Sequence, residues 1–91
     1  MNNKEYEYKY GVILHILKSM RKELCLNQEQ LAHEMGVTQS YISKLERGER
    51  RMDIVEFLKY CEAARYSLKT FLERYEWKLS YDDLVRKRYL K

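Results

Sequence analysis

A strip of polar side chains stands between residues 39 and 44 of this sequence. Gln39 lies four residues before Ser43, and Ser40 lies four residues before Lys44. On a helix the two pairs would be neighbours on one face. Amide, hydroxyl and ammonium groups can form hydrogen bonds with the edges of DNA bases. The chemistry of the strip therefore suits a surface that reads a major groove.

The residues around this strip predict two short helices joined by a tight turn, over residues 27–48. Thr38 is a good N-cap for the second helix, and Gly48 supplies its stop. Ile42 and Leu45 then point inward at helical spacing, whereas the polar strip faces outward. The strip would thus lie near a helix N-terminus, where a helix can enter a major groove.

The first helix of the pair has its own start signal. Asn27 can cap the free amides and Gln30 can reach back to the cap as in a capping box, so this helix should begin at about Gln28. Gly36 can adopt the left-handed conformation that ends a helix at low steric cost. The residues predicted to share the apolar face are Leu31, Ala32 and Met35.

This segment resembles the helix-turn-helix domain of the XRE type, which lambdoid phage repressors and Cro share. Apolar, glycine and polar positions all agree in one register, and the resemblance continues more loosely from about Val12 to Tyr75. It implies an all-α, five-helix repressor-like domain that binds double-stranded DNA. The matching residues are Leu26, Gln28, Leu31, Ala32, Gly36, Val37, Gln39, Ser40, Ile42, Ser43, Leu45, Glu46 and Gly48.

The resemblance also implies roles for individual side chains. Arg21 and Glu46 match positions that pair in similar domains, so we expect an ion pair between them. Arg50 and Arg51 follow the reading helix and are well placed to meet the DNA backbone or a minor groove. The base-reading residues, on the helix at 39–47, would be Gln39, Ser40, Ser43 and Lys44. The predicted phosphate-binding residues are Gln28, Tyr41, Arg47, Arg50 and Arg51. A merely solvated surface is the alternative for the base-reading residues and Gln28.

Composition is consistent with a small helical domain that binds a polyanion. The 91 residues are 45% hydrophobic, which is enough for one small core. Lysine and arginine total 18 against 14 acidic residues, giving a net charge of +4 and a pI near 9.1. The absence of proline and the presence of only three glycines favour helices over a sheet with tight turns.

Other chemistry is not indicated by the sequence. Cys25 and Cys61 are isolated and interleave with His15 and His33 at spacings that match no zinc finger, so we expect reduced thiols, no metal and no cofactor. A phosphate loop, a paired-carboxylate site and a nucleophile beside a base are all missing, which predicts no enzymatic activity. Without a membrane-spanning run or a signal peptide, the protein is expected to be cytoplasmic.

The N-terminal part of the sequence leaves two interpretations open. Tyr6, Tyr8 and Tyr10 alternate as in a strand, but the same segment also shows helical spacing, and a frayed or partly helical arm is favoured. Helix 1 is expected over residues 11–24. Cys25 stands where the family usually has glycine, so either this helix ends differently or a left-handed residue carries strain. The residues expected to be buried are Ile13, Leu17, Met20 and Leu24.

Two further helices complete the predicted domain, which covers residues 1–75. Asp53 with Glu56 makes a capping box for the fourth helix, and Ser67 can cap the fifth. Inward stripes are expected at Ile54, Phe57, Leu58 and Cys61, and then at Leu68, Phe71, Leu72 and Tyr75.

Residues 76–91 form a predicted C-terminal helical extension. A third capping box, Ser80 with Asp83, indicates a separate short helix. Such a helix is too short to be stable alone, so it packs on the domain, packs on a second copy or stays mobile.

The sequence predicts a DNA-binding transcription regulator that acts as a homodimer on a palindromic operator. A restriction-modification controller or an antitoxin would use the same surface. A protein-interaction module that binds through the aromatic tail is the hypothesis from another class. The residues predicted at the dimer interface are Phe71, Tyr75, Trp77, Leu79 and Tyr81.

Overall fold

The computed structural model describes residues 2–89 and is all-helical over that range. This confirms the predicted fold class. Met1, the first residue of the predicted domain at 1–75, lies outside the described residues, as do Leu90 and Lys91, the last two of the predicted extension at 76–91. The helices are α1 (Asn3–Glu23), α2 (Gln28–Met35), α3 (Gln39–Glu46), α4 (Ile54–Ala63) and α5 (Leu68–Tyr89).

All five helices contribute to one core. The rings of Phe57 on α4 and Phe71 on α5 meet edge to face with 4.8 Å between their centroids. Gly48 lies just after α3, and its backbone passes so close to α1 that an added Cβ would stand 3.3 Å from Leu14 Cδ1. The largest fully buried side chains are Leu17, Met20, Leu31, Ile42, Leu45, Tyr60 and Phe71.

The N-terminal arm is a regular part of α1. Asn2 caps the helix, because its Oδ1 accepts a hydrogen bond from the Glu5 amide at 2.7 Å. Helix 1 therefore begins about eight residues before the predicted start. The rings of Tyr6 and Tyr10 stack one turn apart, 5.9 Å between centroids. Leu24 was expected to be buried but lies exposed at the end of this helix.

Helix α1 ends in a strained left-handed residue. Cys25 has a φ of +59°, its amide donates to the Lys22 carbonyl at 2.9 Å, and the Leu26 amide donates to the Arg21 carbonyl at 3.1 Å. These are the two hydrogen bonds of a Schellman motif, which normally has glycine at its left-handed position. Arg65 takes the same conformation after α4, with a φ of +56°. The strain anticipated at Cys25 is therefore carried.

Helix α4 presents a different face to the core from the one predicted. Ile54 and Leu58 were expected inside but are 67% and 43% exposed. Cys61 is buried as predicted, and Tyr60 and Ala64 are buried in addition. The helix is rotated so that the Tyr60 hydroxyl reaches Glu46, and a buried phenol needs such a partner.

Helix α5 continues without a break through Ser80, so the prediction of a separately capped C-terminal helix is wrong. Neither glycine nor proline interrupts this segment. The far end of the helix is also held, because the Tyr8 hydroxyl of α1 donates to Asp82 Oδ2 at 2.6 Å. The extension therefore packs on its own chain over the part that the structure describes.

Candidate nucleic-acid interface

Helix α3 presents the predicted polar strip at the surface. Thr38 caps it, since its Oγ1 accepts a hydrogen bond from the Tyr41 amide at 3.1 Å. On the inner face Ile42 and Leu45 are fully buried. On the outer face three of the predicted readers, Gln39, Ser40 and Lys44, are exposed. The fourth, Ser43, is half-buried.

Two of the predicted DNA-binding residues are joined to each other. Gln39 Nε2 donates to Gln28 Oε1 at 3.1 Å, which joins the first residue of α3 to the first residue of α2. Gln28 Nε2 in turn donates to Glu46 Oε1 at 3.1 Å. The first residue of α3 is thus connected by side chains to the last residue of the same helix.

Glu46 also forms the expected pair with Arg21. Arg21 Nε donates to Glu46 Oε2 at 2.8 Å, and Arg21 Nη2 donates to Glu46 Oε1 at 3.0 Å. This is the bidentate pairing that guanidinium and carboxylate groups favour. A further bond from Arg21 Nη1 reaches the Leu26 carbonyl at 2.8 Å. Both side chains are buried, so the pair ties α1 to α3 inside the protein.

Tyr60 is a fourth member of this cluster, and sequence reasoning did not find it. Its hydroxyl donates to Glu46 Oε2 at 2.6 Å. The sequence did offer a signal, since Tyr60 lies next to Cys61, which was predicted to face the core. A buried tyrosine hydroxyl requires a hydrogen-bond partner, so a polar partner inside the core could have been expected. We use the term Glu46 cluster below for Arg21, Gln28, Glu46 and Tyr60.

The Glu46 cluster keeps its carboxylate ionised. Burial favours the neutral acid, but hydrogen bonds from Arg21, Tyr60 and Gln28 outweigh burial and hold the pKa of Glu46 below its ordinary 4.5. The bond to Glu46 raises the pKa of Arg21. Burial, followed by the bond to Glu46, raises the pKa of Tyr60. At neutral pH the cluster therefore holds an ion pair and a neutral phenol donor.

The arginines that flank α3 already have acidic partners. Arg47 Nε donates to Glu49 at 2.7 Å, and the same guanidinium is hydrogen-bonded to Ser43. Arg50 pairs with Glu56 at 3.1 Å and lies over the Tyr41 ring, 4.9 Å from its centroid. Arg47 and Glu49 are both exposed, and such ion pairs contribute little to stability, so a DNA phosphate can replace Glu49 there. The Glu56 side chain is only 16% exposed and also caps α4.

Arg51 is held by the N-terminal part of α1. Its guanidinium pairs with Glu7 and lies beside the stacked rings of Tyr6 and Tyr10, 4.9 Å from the first centroid and 4.6 Å from the second. The charge remains half exposed. The helical arm thus positions Arg51.

Lys44 differs from these arginines. It is exposed on α3 and has no ion-pair partner within the described part of the chain. Its ammonium group is therefore available to a base or a phosphate.

The five residues predicted at the dimer interface differ in their exposure to solvent. Phe71 is 2% exposed because it packs in the core against Phe57, so it offers almost no surface to a second copy. Tyr75 and Leu79 are half-buried against the same core. Trp77 and Tyr81 are 65% and 49% exposed, and their rings stack with 5.2 Å between centroids.

The two cysteines are free thiols. Cys61 is buried, and burial raises its pKa to about 11, so it stays protonated at neutral pH. Within residues 2–89, histidine, cysteine and acidic side chains nowhere converge in a group of three that could hold a metal ion. No helix in this range has the length and apolar character required to cross a membrane.

Comparisons with known proteins agree with this geometry. A family model described as helix-turn-helix matches residues 17–71. No curated protein matches the chain. Among solved structures, an XRE-family like protein from Pseudomonas syringae pv. tomato str. DC3000 is 30% identical with a TM-score of 0.76, over 80% of this chain and 89% of that one.

Two further structures share the fold at lower identity. The wild-type restriction-modification controller protein C.Esp1396I is 24% identical with a TM-score of 0.75, over 79% of this chain and 95% of that one. The clp gene regulator ClgR from C. glutamicum is 23% identical with a TM-score of 0.68, over 77% and 91%. From the family match and the structural neighbours, this chain belongs to the XRE type of helix-turn-helix protein, a family of DNA-binding transcription regulators.

Proposed function

We propose that this protein is a sequence-specific transcription regulator that reads the major groove with α3 and binds a palindromic operator as a homodimer. The observation that supports this most strongly is the position of Gln39. It is exposed at the first turn of α3, yet its amide is held by Gln28. A reading side chain that is already ordered loses less conformational freedom when DNA binds.

The readers have chemistry suited to different base edges. Gln39 can pair bidentately with adenine, and Lys44 can reach a guanine or a phosphate. Ser40 is exposed beside them and can donate or accept. Gln28 uses one amide hydrogen toward Glu46 and has a second one left for a phosphate.

Phosphate contacts would surround this reading strip. Tyr41, Arg47, Arg50 and Arg51 are on α3 or in the loop that follows it. On binding, the phosphates would take the places of Glu49, Glu56 and Glu7 beside the three guanidinium groups. Such contacts make affinity fall steeply with salt, with a slope of about −0.9 per phosphate contact.

A second copy has an aliphatic face available on α4 and α5. Leu68 and Leu72 are 44% and 46% exposed, one helical turn apart on α5. Ile54 and Leu72 line one groove, to which Tyr6, Tyr10 and Ile13 of α1 also contribute. Exposed apolar patches usually mark contacts, and a two-fold pair buries the same patch from both copies. We therefore infer that the dimer forms through Ile54, Leu58, Leu68 and Leu72, with Trp77 and Tyr81 as the second candidate surface.

The test of this function begins with selection of binding sites from a random duplex library. The affinity of the full chain for the selected site and for an unrelated duplex is then measured across a salt series. Gln39→Ala should lower the preference for the selected site by about 1–3 kcal/mol and leave binding to the unrelated duplex nearly unchanged. His33→Ala, which removes an exposed polar side chain from the other helix of the pair, is the matched control and should keep the preference.

Other outcomes point to other functions. If affinity for both duplexes fell equally in Gln39→Ala, Gln39 would not be a base reader. If the protein bound no duplex and showed no salt dependence, the interaction module built on Trp77 and Tyr81 would replace the proposal. A restriction-modification controller and an antitoxin are two forms of the proposed regulator, and the genes beside its own would separate them.

A further inference from the structure

We propose that Glu46 determines which way Gln39 presents its amide to DNA, and that it acts through Gln28. The inference rests on the proposed function, because it requires Gln39 to read a base. Glu46 does not touch DNA in this account. It is a positioning residue for base recognition.

The first step is the contact between Glu46 and Gln28. An ionised carboxylate can only accept hydrogen bonds. Gln28 therefore turns its amide nitrogen toward Glu46, with 3.1 Å between Gln28 Nε2 and Glu46 Oε1. The opposite orientation would bring two oxygen acceptors together in a half-buried place, where unpaired acceptors are costly.

The second step is the contact between Gln28 and Gln39. With its nitrogen facing Glu46, Gln28 directs its oxygen toward α3, and an amide oxygen can only accept. Gln39 therefore donates from Nε2 to Gln28 Oε1 at 3.1 Å. This leaves one N–H and the oxygen of Gln39 for the groove. One donor beside one acceptor matches N7 and the N6 amino group of adenine.

We call the two hydrogen bonds that lead from Glu46 through Gln28 to Gln39 the relay. The Glu46 carboxylate at its start is itself held in place. Arg21 holds both of its oxygens, at 2.8 Å and 3.0 Å, and Tyr60 donates to Oε2 at 2.6 Å. Glu46 as a whole is 5% exposed, so water cannot take over these positions. The polarity of the relay is thus set inside the protein before DNA binds.

Reversal of the relay would change the base that Gln39 prefers. If both glutamine amides turned over, Gln39 would accept from Gln28 and direct two N–H groups at the groove. Two donors suit the N7 and O6 acceptors of guanine. The observed polarity therefore favours adenine over guanine at the base that Gln39 contacts.

Glu46→Gln tests this directly, because a neutral amide can donate as well as accept and permits both orientations of Gln28. After site selection with the full wild-type chain, affinities are measured for duplexes with adenine or guanine at the position that Gln39→Ala identifies. We expect the ratio of the two affinities to fall about fivefold or more in Glu46→Gln. Tyr60→Phe is the matched control, since it removes a bond from the same carboxylate but leaves it an acceptor, and it should keep the ratio.

Gln28→Met provides an independent variant that leaves the buried ion pair intact. It should lower the same ratio, and adding Glu46→Gln to it should cause no further fall, because the relay is already interrupted. A purely structural role of Glu46 would predict an unchanged ratio in both single variants. If Gln39→Ala alters the ratio and Gln28→Met does not, the relay is wrong and the reading role stands. If Gln39→Ala leaves the ratio unchanged, the proposed reading role fails, and the relay fails with it.

Discussion

At the scale of single residues, Glu46 connects four helices. Arg21 belongs to α1, Gln28 to α2 and Tyr60 to α4, and all three donate to the carboxylate on α3. A buried charge that loses its partner is far more costly than an exposed one. The same residue therefore holds the helix-turn-helix unit on the rest of the domain and is linked through Gln28 to Gln39, a proposed reader.

The pKa of Glu46 predicts how stability depends on pH. Because the folded protein holds this pKa below 4.5, its ionisation stabilises the fold fully above the unfolded value, and this contribution is lost as the pH falls through the folded value. Glu46→Gln should lower the free energy of unfolding by about 3 kcal/mol at neutral pH, since it leaves Arg21 without its charge partner. Denaturant unfolding at pH 7, 5 and 3 should show this difference shrinking toward acid.

Glu23→Gln is the control for that prediction. Hydrogen bonds from Arg74 and Tyr66 lower the pKa of Glu23 to about 2, so its effect has the same sign, but the side chain is exposed. Its substitution should therefore destabilise much less than that of Glu46. A Glu46→Gln difference that stayed constant between pH 7 and 3 would show that the charge of Glu46 does not contribute to stability.

Residue-scale predictions from sequence succeeded where the family register specified the position. Arg21 and Glu46 were paired in advance by that register, and the structure places them in contact. The contact of Tyr60 with Glu46 depends on how far α4 is rotated, which no local pattern encodes. The bond between Gln28 and Glu46 was missed for a similar reason, because it spans 18 residues.

At the scale of elements, helix termini were predictable because their signals are local. The capping box of Asn27 and Gln30, the cap at Thr38 and the left-handed Gly36 are all present as expected. Each of these features depends on side chains within three or four residues of the backbone groups that they satisfy. The position of the reading strip follows from these termini, so it was predictable too.

Elements that depend on distant packing were predicted less well. The cap at Asn2 was overlooked because alternating tyrosines masked the helical pattern. Ser80 and Asp83 resembled a capping box, but α5 passes through them while Asp82 contacts Tyr8 of α1. The Asn2 signal is local and was only misread, whereas at Ser80 the helix continues despite the local signal and is held by a contact with the other end of the chain.

The end of α1 gives a prediction about strain. Cys25 has a φ of +59°, where a side chain costs roughly 1 kcal/mol and glycine costs little. Cys25→Gly should therefore raise the free energy of unfolding by about 0.5–1 kcal/mol, the gain being reduced by the greater freedom of glycine in the unfolded chain. The measurement is denaturant unfolding under reducing conditions.

Two substitutions calibrate this result. Gly36→Ala introduces the reverse change at a φ of +69° with no atom near the added Cβ, and it should destabilise by a similar amount. Lys22→Gly puts glycine in the last turn of α1, where φ is already helical, and should destabilise by about 1 kcal/mol. A loss of stability in Cys25→Gly would mean that the thiol contributes more than its backbone conformation costs.

At the scale of the whole molecule, α1 and α5 form an antiparallel pair that lengthens the domain. Arg74 near the start of α5 holds Glu23 at the end of α1 through two hydrogen bonds, and Asp82 near the end of α5 accepts from Tyr8 near the start of α1. The molecule measures 46 × 24 × 20 Å as a result. The exposed aliphatic face includes Ile54 on α4 and Leu72 on α5, which line a groove together with Tyr6 and Tyr10 of α1.

Assembly through that face gives the last prediction. Ile54 is 67% exposed at the first turn of α4, where glutamate suits the helix N-terminus, so Ile54→Glu should leave the fold intact. Combined with Leu72→Glu it would place charges across the two-fold axis, and the protein should sediment as a monomer. Trp77→Glu with Tyr81→Glu is the matched control on the other apolar surface and should remain a dimer.

The monomeric variant should also bind a half-site as well as it binds the palindrome, because two reading helices about 34 Å apart are needed for the full site. If the control pair dissociates and the first pair does not, the aromatic surface forms the dimer; if the wild-type protein is monomeric even on its operator, the homodimer is wrong.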